Sequence, residues 1–162
     1  MISAISPWKG DVAPDAVDYV TKTLGAPAFV ADFAAEAGDG LYPRGLDCLT
    51  MWYVIEHFGD LGRVLSRAGT LLKKGGVFAF STPSRSGISA RRRPAEFWER
   101  SPDDHWTVWD PRSAEGILKR FGFEVQKVIV TGHHPERFPL GTSDASSPAY
   151  RLLMAASRLR GL

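Results

Sequence analysis

Residues 46–83 read LDCLTMWYVIEHFGDLGRVLSRAGTLLKKGGVFAFSTP, and this stretch decides the fold. Its two ends, 46–51 and 77–81, are apolar segments of strand length. Between them Asp60 can cap a helix, and apolar side chains then recur at helical spacing as far as the Lys-Lys-Gly-Gly turn at 73–76. The stretch therefore predicts a strand, a helix that ends at that turn, and a second strand of a parallel sheet, with a small-molecule site at its loop ends.

The rest of the chain continues the alternation of strands and helices. Predicted strands occupy 2–6, 28–31 and 123–131, and predicted helices begin at Pro14, at Pro111 and near Ala149. This order predicts an α/β fold with a doubly wound, mostly parallel sheet, because parallel strands need crossover connections. We expect a single domain over residues 1–162, with a lid or insertion at 84–110 and a C-terminal loop and helix at 132–162.

Composition and charge argue against several classes of protein. Lys and Arg number 20 against 18 Asp and Glu, and a net charge of +2 is too balanced to predict nucleic acid as a partner. The basic run at 91–93 is followed by acidic residues, so we expect a solvated loop there. The single cysteine, Cys48, lies in an apolar run and is expected in the core; the absence of a disulfide fits a cytoplasmic location. We expect no membrane segment, because no apolar run approaches the ~20 residues that a spanning helix needs.

Residues 46–57 carry an apolar residue, Asp, an apolar strand, a turn and then Glu-His, and they resemble the fourth strand of class I S-adenosylmethionine-dependent methyltransferases. Residues 71–76 resemble the Leu-Lys-Pro-Gly-Gly turn of that family, with lysine in place of the proline. Ser-Thr-Pro at 81–83 matches the end of its fifth strand, and Phe-Gly-Phe at 121–123 matches the turn before its sixth. The resemblance covers roughly residues 2–131. Within the family, the chain is similar to the groups known as methyltransferase types 11, 12 and 23, and the resemblance implies a Rossmann-like fold.

The same resemblance implies that S-adenosylmethionine is the cofactor and assigns residues to it. Asp32 lies where a carboxylate accepts a hydrogen bond from the adenine amine, and Phe33 lies where a side chain contacts the adenine ring. Met51 and Trp52 would line the floor beside the methionyl part. Trp52 or Tyr53 would also attract the sulfonium cation through a cation–π interaction.

Two histidines are the predicted catalytic residues. His57, in the Glu-His pair, and His105, in the lid, would each act as a base if the acceptor carries a proton to be removed. Alternatively, Glu56 and His57 cap the helix that follows them, and the aromatic residues around His105 pack the lid on the core. No metal ligands are predicted, because the neighbouring His133 and His134 have no supporting carboxylate or cysteine pattern.

Two family features are absent from these residues. In the family, the glycine-rich loop that holds the methionine moiety follows the first strand, and it should precede Ile2. The acidic residue that binds the ribose is also missing, because Ala4 stands at its position. No strand follows the last predicted helix either. We therefore expect the first and last strands to be missing, and the chain to be a fragment, a truncated reading frame, or a domain completed by another chain or a second copy. Its affinity for the cofactor is expected to be weak.

Two functions are consistent with these residues. The first is methyl transfer from S-adenosylmethionine to an oxygen, nitrogen or carbon nucleophile of an unknown acceptor, which makes the complete protein an enzyme. The second is a non-catalytic, methyltransferase-like remnant or interaction module.

Overall fold

A computed structural model describes residues 9–35, 40–129, 144 and 146–160. Their helices and strands follow in this order: β1 (Lys9–Asp11), α1 (Pro14–Thr23), β2 (Ala28–Val30), β3 (Leu46–Trp52), a 3-10 turn (Ile55–His57), α2 (Leu61–Leu71), β4 (Leu72–Ser81), α3 (Ile88–Arg92), α4 (Pro94–Glu99), α5 (Pro111–Arg120) and α6 (Pro148–Arg160). The chain divides into two compact units. The first unit contains Met1–Thr50 and Asp60–Ala79, and the second contains Met51–Gly59 and Phe80–Leu162.

The first unit begins with a small α/β element. Strands β1 and β2 pair in parallel, with Lys9 opposite Ala28, and α1 packs against both strands. Proline at the first turn opens α1, and Gly25, at a φ of +62°, follows its end, so the predicted helix is confirmed. The predicted strand at 28–31 is confirmed as β2, whereas the predicted strand at 2–6 lies outside the described residues.

Helix α2 supplies most of the buried apolar side chains of the first unit. The Asp60 side chain accepts a hydrogen bond from the Arg63 amide at 2.9 Å, as its position before the helix predicts. The buried face consists of Val64, Leu65, Ala68 and Leu71. Burying a large aliphatic side chain stabilises a fold by about 1.5–3 kcal/mol, so the burial of this face is the main contribution that stabilises α2.

The helix ends earlier than the Lys-Lys-Gly-Gly turn predicts. It stops at Leu71, and β4 begins at Leu72 and runs through that turn to Ser81. The reason is pairing with β3. A Cβ built on Gly76 would lie 2.9 Å from the Leu46 carbonyl oxygen, so only glycine permits this approach of the two backbones, and Lys73 forms an ion pair with Asp47. The strand predicted at 46–51 is confirmed as β3.

The described strands form two two-stranded sheets, β1–β2 and β3–β4. The mixed α/β order is therefore confirmed, while one continuous doubly wound sheet remains a prediction. Cys48 on β3 is exposed, which makes the expectation of a core cysteine wrong. Its apolar neighbours suggested burial, but β3 has a single partner strand in the described part of the chain, and Cys48 lies on a side that other elements leave open.

The second unit contains the predicted lid, 84–110, whose two ends lie side by side. Ser84 and Trp109 form an isolated parallel bridge, and the Arg85 amide donates to the Trp109 carbonyl at 2.9 Å. The basic run 91–93 was expected to be a loop, but it lies in α3 and at the start of α4. There Glu96 binds Arg93 and Arg100 at 3.1 and 3.0 Å. These ion pairs neutralise part of the positive charge of the arginines and reduce the repulsion between them within the short helices.

The C-terminal part of the second unit confirms two helices and corrects one strand. In α5 the Asp110 side chain and Ser113 form a capping box, and α6 corresponds to the predicted last helix. A strand was predicted at 123–131. Residues 123–129 form none, and the last two residues of the range lie outside the described residues. The alternating apolar residues there find no partner strand within the described ranges, and the Phe123 amide instead donates to the Leu118 carbonyl at the end of α5. None of the described helices is long and apolar enough to cross a membrane.

Candidate functional site

The carboxyl ends of β3 and β4 meet, as parallel strands do. The Tyr53 amide donates to the Ser81 carbonyl at 2.9 Å. Met51 is buried, whereas Trp52 and Tyr53 are 59% and 57% exposed. Tyr53 has a φ of +54° and is the one non-glycine residue with a positive φ in the described ranges. A bulky side chain in this left-handed region costs about 1–2 kcal/mol, and such residues concentrate at ligand sites.

The 3-10 turn Ile55–His57 places a carboxyl group in the interior. Glu56 is 1% exposed, and no hydrogen-bond partner is found for its Oε2 atom among the residues that the structure describes. Its backbone carbonyl accepts hydrogen bonds from the amides of Trp106 and Thr107, at 2.9 and 3.3 Å. These two bonds attach the predicted lid to the turn that follows β3.

The two predicted catalytic histidines lie next to each other. The rings of His57 and His105 are 4.7 Å apart between centroids and nearly perpendicular, at 88°. The Nδ1–H group of His57 donates to Asp104 Oδ2 at 2.9 Å, because a carboxylate can only accept. In the neutral form of the ring, this bond leaves the lone pair on Nε2. His57 is exposed and His105 is half-buried, so both are close to solvent.

The predicted adenine-binding residues belong to the first unit. Asp32 is exposed, and its Oδ1 atom accepts the Ala34 amide at 2.8 Å. Phe33 is buried; its ring meets the Tyr42 ring edge-on at 5.1 Å, and the Arg67 guanidinium lies 5.8 Å from its centroid. Arg67 also donates to the Phe33 carbonyl. The Phe33 ring is thus largely engaged by its own neighbours, while Asp32 keeps an exposed carboxylate.

Burial raises the pKa of the Tyr42 hydroxyl above its ordinary value, because the ionised form is poorly solvated there. The Arg67 cation opposes this shift and the Asp32 charge adds to it. Tyr42 therefore stays neutral at physiological pH. In that state its ring packs against Phe33 without adding a charge beside Asp32.

An open cavity of about 470 Å³ lies at the start of α5 in the second unit. Its lining contains three arginines, namely Arg85, Arg91 and Arg112. Arg85 Nε bonds Asp110 Oδ2 at 2.5 Å, so that arginine is engaged by a carboxylate. The Ser113 amide and Arg85 together hold the pKa of the Asp110 carboxyl below its usual value.

A family model described as a methyltransferase domain matches residues 11–128, well over half of the chain. The chain belongs to this methyltransferase-domain family. The resemblance to class I methyltransferases drawn from the motifs at 46–57, 71–76, 81–83 and 121–123 is thereby confirmed, since the matched range contains all four. No curated protein matches the chain.

Two features of the site are not predictable from the sequence pattern. The burial of Glu56 has no local signal, because nothing in a glutamate beside a histidine after a strand indicates a buried side chain. The pairing of His57 with Asp104 has none either, because 47 positions separate them and no motif joins them. The acidic Asp103–Asp104 pair beside His105 was a signal that could have suggested an orienting carboxylate.

Proposed function

We propose that this methyltransferase-domain chain acts in methyl transfer from S-adenosylmethionine, and that the residues after β3 form part of the cofactor site. The observation that carries the proposal is Tyr53. It combines a φ of +54° with 57% exposure where β3 and β4 end, which is the edge at which open α/β sheets bind ligands. Residues with such strained backbone angles cluster at ligand sites and active sites.

The chemistry of the cofactor fits the side chains at this edge. A sulfonium is a cation, and an aromatic face attracts a cation by about 0.5–2 kcal/mol, depending on how dry the contact is. Trp52 and Tyr53 offer two such faces, and Met51 is the buried residue behind them. Asp32 and Phe33 remain proposed adenine contacts, and of these Asp32 has the more accessible side chain.

Methyl transfer is an in-line displacement at the sulfonium carbon, so alignment of donor and acceptor supplies most of the rate. A base is needed only when the acceptor loses a proton. The His57 ring is oriented by Asp104 through Nδ1, which makes Nε2 the proton-accepting atom, and His105 is its neighbour. We propose either histidine as that base. The acceptor is an unidentified molecule with a nucleophilic oxygen, nitrogen or carbon.

The test compares cofactor binding by matched tryptophan variants. Ligand-observed NMR titrations with S-adenosylmethionine would use the wild-type chain, Trp52→Ala, and Trp98→Ala as the control. Trp98 is 53% exposed on α4, so its loss removes similar surface at another place. We expect weak binding, with a Kd near 1 mM or about −4 kcal/mol, because no glycine-rich loop is found among these residues. Trp52→Ala should weaken binding about fivefold, corresponding to about 1 kcal/mol, and Trp98→Ala should not.

A second candidate function is a non-catalytic interaction module completed by another chain or a second copy. The buried Phe33 ring, engaged by Tyr42 and Arg67, favours it, because this ring offers little face to an adenine. Absence of saturable binding at millimolar S-adenosylmethionine would contradict the first function and support the second. Micromolar affinity by calorimetry would overturn only the expectation of weak binding.

A further inference from the structure

We propose that Glu56, His57 and His105 form a binding site for a divalent transition-metal ion of the Zn²⁺ class. The three side chains each offer a ligand atom, and these atoms all lie within 4.8 Å of one another. Ligands at about 2.0–2.2 Å from a tetrahedral Zn²⁺ lie about 3.3–3.6 Å apart, so small side-chain rotations would bring the three atoms around one ion. The proposal departs from the sequence analysis, which predicted no metal ligands.

The buried carboxyl group of Glu56 is the independent observation that points to a cation. The side chain is 1% exposed, and its Oε2 atom has no hydrogen-bond partner within the described part of the chain. Buried carboxylates are normally paired or bound to a metal, because removing an isolated charge from water is very unfavourable. Two neighbouring imidazoles supply no fixed positive charge in their neutral form. A divalent ion would satisfy the carboxylate and both rings together.

The environment of His57 also matches that of a metal ligand. Metal-binding histidines usually donate their second ring N–H to a carboxylate or a carbonyl, which orients the ring and makes the ligating nitrogen more basic. Asp104 accepts this bond from Nδ1 at 2.9 Å, and Nε2 is left with the lone pair. The exposure of His57 gives an ion a route from solvent.

The ligand set favours one chemical class of ion. Two imidazoles and one carboxylate suit Zn²⁺, Co²⁺ and similar ions, whereas Mg²⁺ and Ca²⁺ prefer sites made of oxygen ligands. Three protein ligands also leave a coordination position for a water or for an oxygen of a substrate, whose pKa the ion would lower. With the ion bound, both rings would be ligands, so the oxygen on the ion would take the place of a histidine as the base. The ion would lie beside the proposed methyl-transfer site and bind independently of the cofactor.

The experiment measures metal binding directly and without S-adenosylmethionine, so its result is separate from the test of the proposed function. The metal-stripped chain, carrying Cys48→Ser to remove the exposed thiol as a competing ligand, is titrated with Zn²⁺ by calorimetry and with Co²⁺ by visible absorption. We expect one ion per chain, a Co²⁺ spectrum typical of nitrogen and oxygen ligands, and a higher melting temperature with the ion.

Four variants assign the ligands. Glu56→Gln and His105→Asn should each abolish the specific Co²⁺ spectrum. Asp104→Asn, at an exposed position, should lower the affinity about tenfold to hundredfold and keep the stoichiometry. The double variant His133→Asn with His134→Asn is the matched control, and it should bind like the parent.

Three outcomes would overturn the proposal: no stoichiometric binding by the parent, unchanged binding after His105→Asn, or loss of binding in the control double variant. Circular dichroism of each variant shows whether it folds. If Glu56→Gln fails to fold, His105→Asn and Asp104→Asn decide the question, because neither replaces a fully buried side chain.

Discussion

The positive φ of Tyr53 predicts an unusual order of stability when the residue is replaced. At an ordinary position alanine is more stable than glycine by about 0.5–1 kcal/mol, because glycine loses more backbone entropy on folding. At a φ of +54° a side chain costs about 1–2 kcal/mol, and glycine removes that cost. The central values of these two ranges leave Tyr53→Gly more stable than Tyr53→Ala by about 0.75 kcal/mol. Because the side chain is 57% exposed, both variants lose similarly little burial.

Urea unfolding followed by circular dichroism measures this difference. With an m-value of about 2 kcal/mol per molar urea, the midpoint of Tyr53→Gly should exceed that of Tyr53→Ala by about 0.25–0.5 M. The neighbouring pair Trp52→Gly and Trp52→Ala is the control, because Trp52 lies in β3 and has no positive φ. There alanine should be the more stable. A higher midpoint for Tyr53→Ala than for Tyr53→Gly would refute the assignment of strain to this residue, and with it the main support for a ligand site there.

Two further predictions concern helix caps, one in each unit. Asp60→Ala removes the side-chain acceptor for the Arg63 amide in the first turn of α2. It should lower the free energy of unfolding by about 1 kcal/mol, seen as a fall of roughly 2–4 °C in melting temperature; an unchanged Tm would contradict the cap. Asp110 should make the free energy of unfolding depend on pH, because the Ser113 amide and Arg85 hold the pKa of its carboxyl below the ordinary value of 3.8. When folding lowers the pKa of a carboxyl, its ionised form stabilises the folded state. This contribution is complete above the pKa of the unfolded chain and is lost as the pH falls through the lower pKa of the folded chain. Urea unfolding of wild type and Asp110→Asn should therefore differ above about pH 4 and converge in stronger acid, whereas a constant difference would argue against the ion pair.

Local signals account for the elements that sequence analysis located correctly. The cap at Asp60 and the capping box at Asp110 lie next to the helices they begin, and the apolar side chains of α2 repeat within a few residues. The motif at 46–57 also spans a short stretch, so the family was recognisable before the structure. In each case neighbouring residues contain all of the information needed.

Most of the errors involve partners that are distant in sequence, whereas the short helices at 88–99 depend on ion pairs three and four residues apart. The Lys-Lys-Gly-Gly residues at 73–76 are typical of a helix end. They belong to β4 instead, because this segment pairs with β3. Residues 123–129 have the composition of a strand and form none, because a strand needs a ladder partner. The cluster of Glu56, His57 and His105 is likewise invisible in sequence spacing, since only the folded lid brings His105 to the turn after β3.

Photo-crosslinking with S-adenosylmethionine carrying a radiolabelled methyl group tests the central claim most directly. Ultraviolet irradiation of the chain with the cofactor, followed by tryptic digestion, would locate the contact. Cleavage after Arg44 and Arg63 releases residues 45–63 as one peptide, which contains Trp52, Tyr53 and His57. We predict that this peptide carries the label and that excess S-adenosylhomocysteine removes it. Label confined to other peptides, or insensitive to the competitor, would contradict a cofactor site at the end of β3.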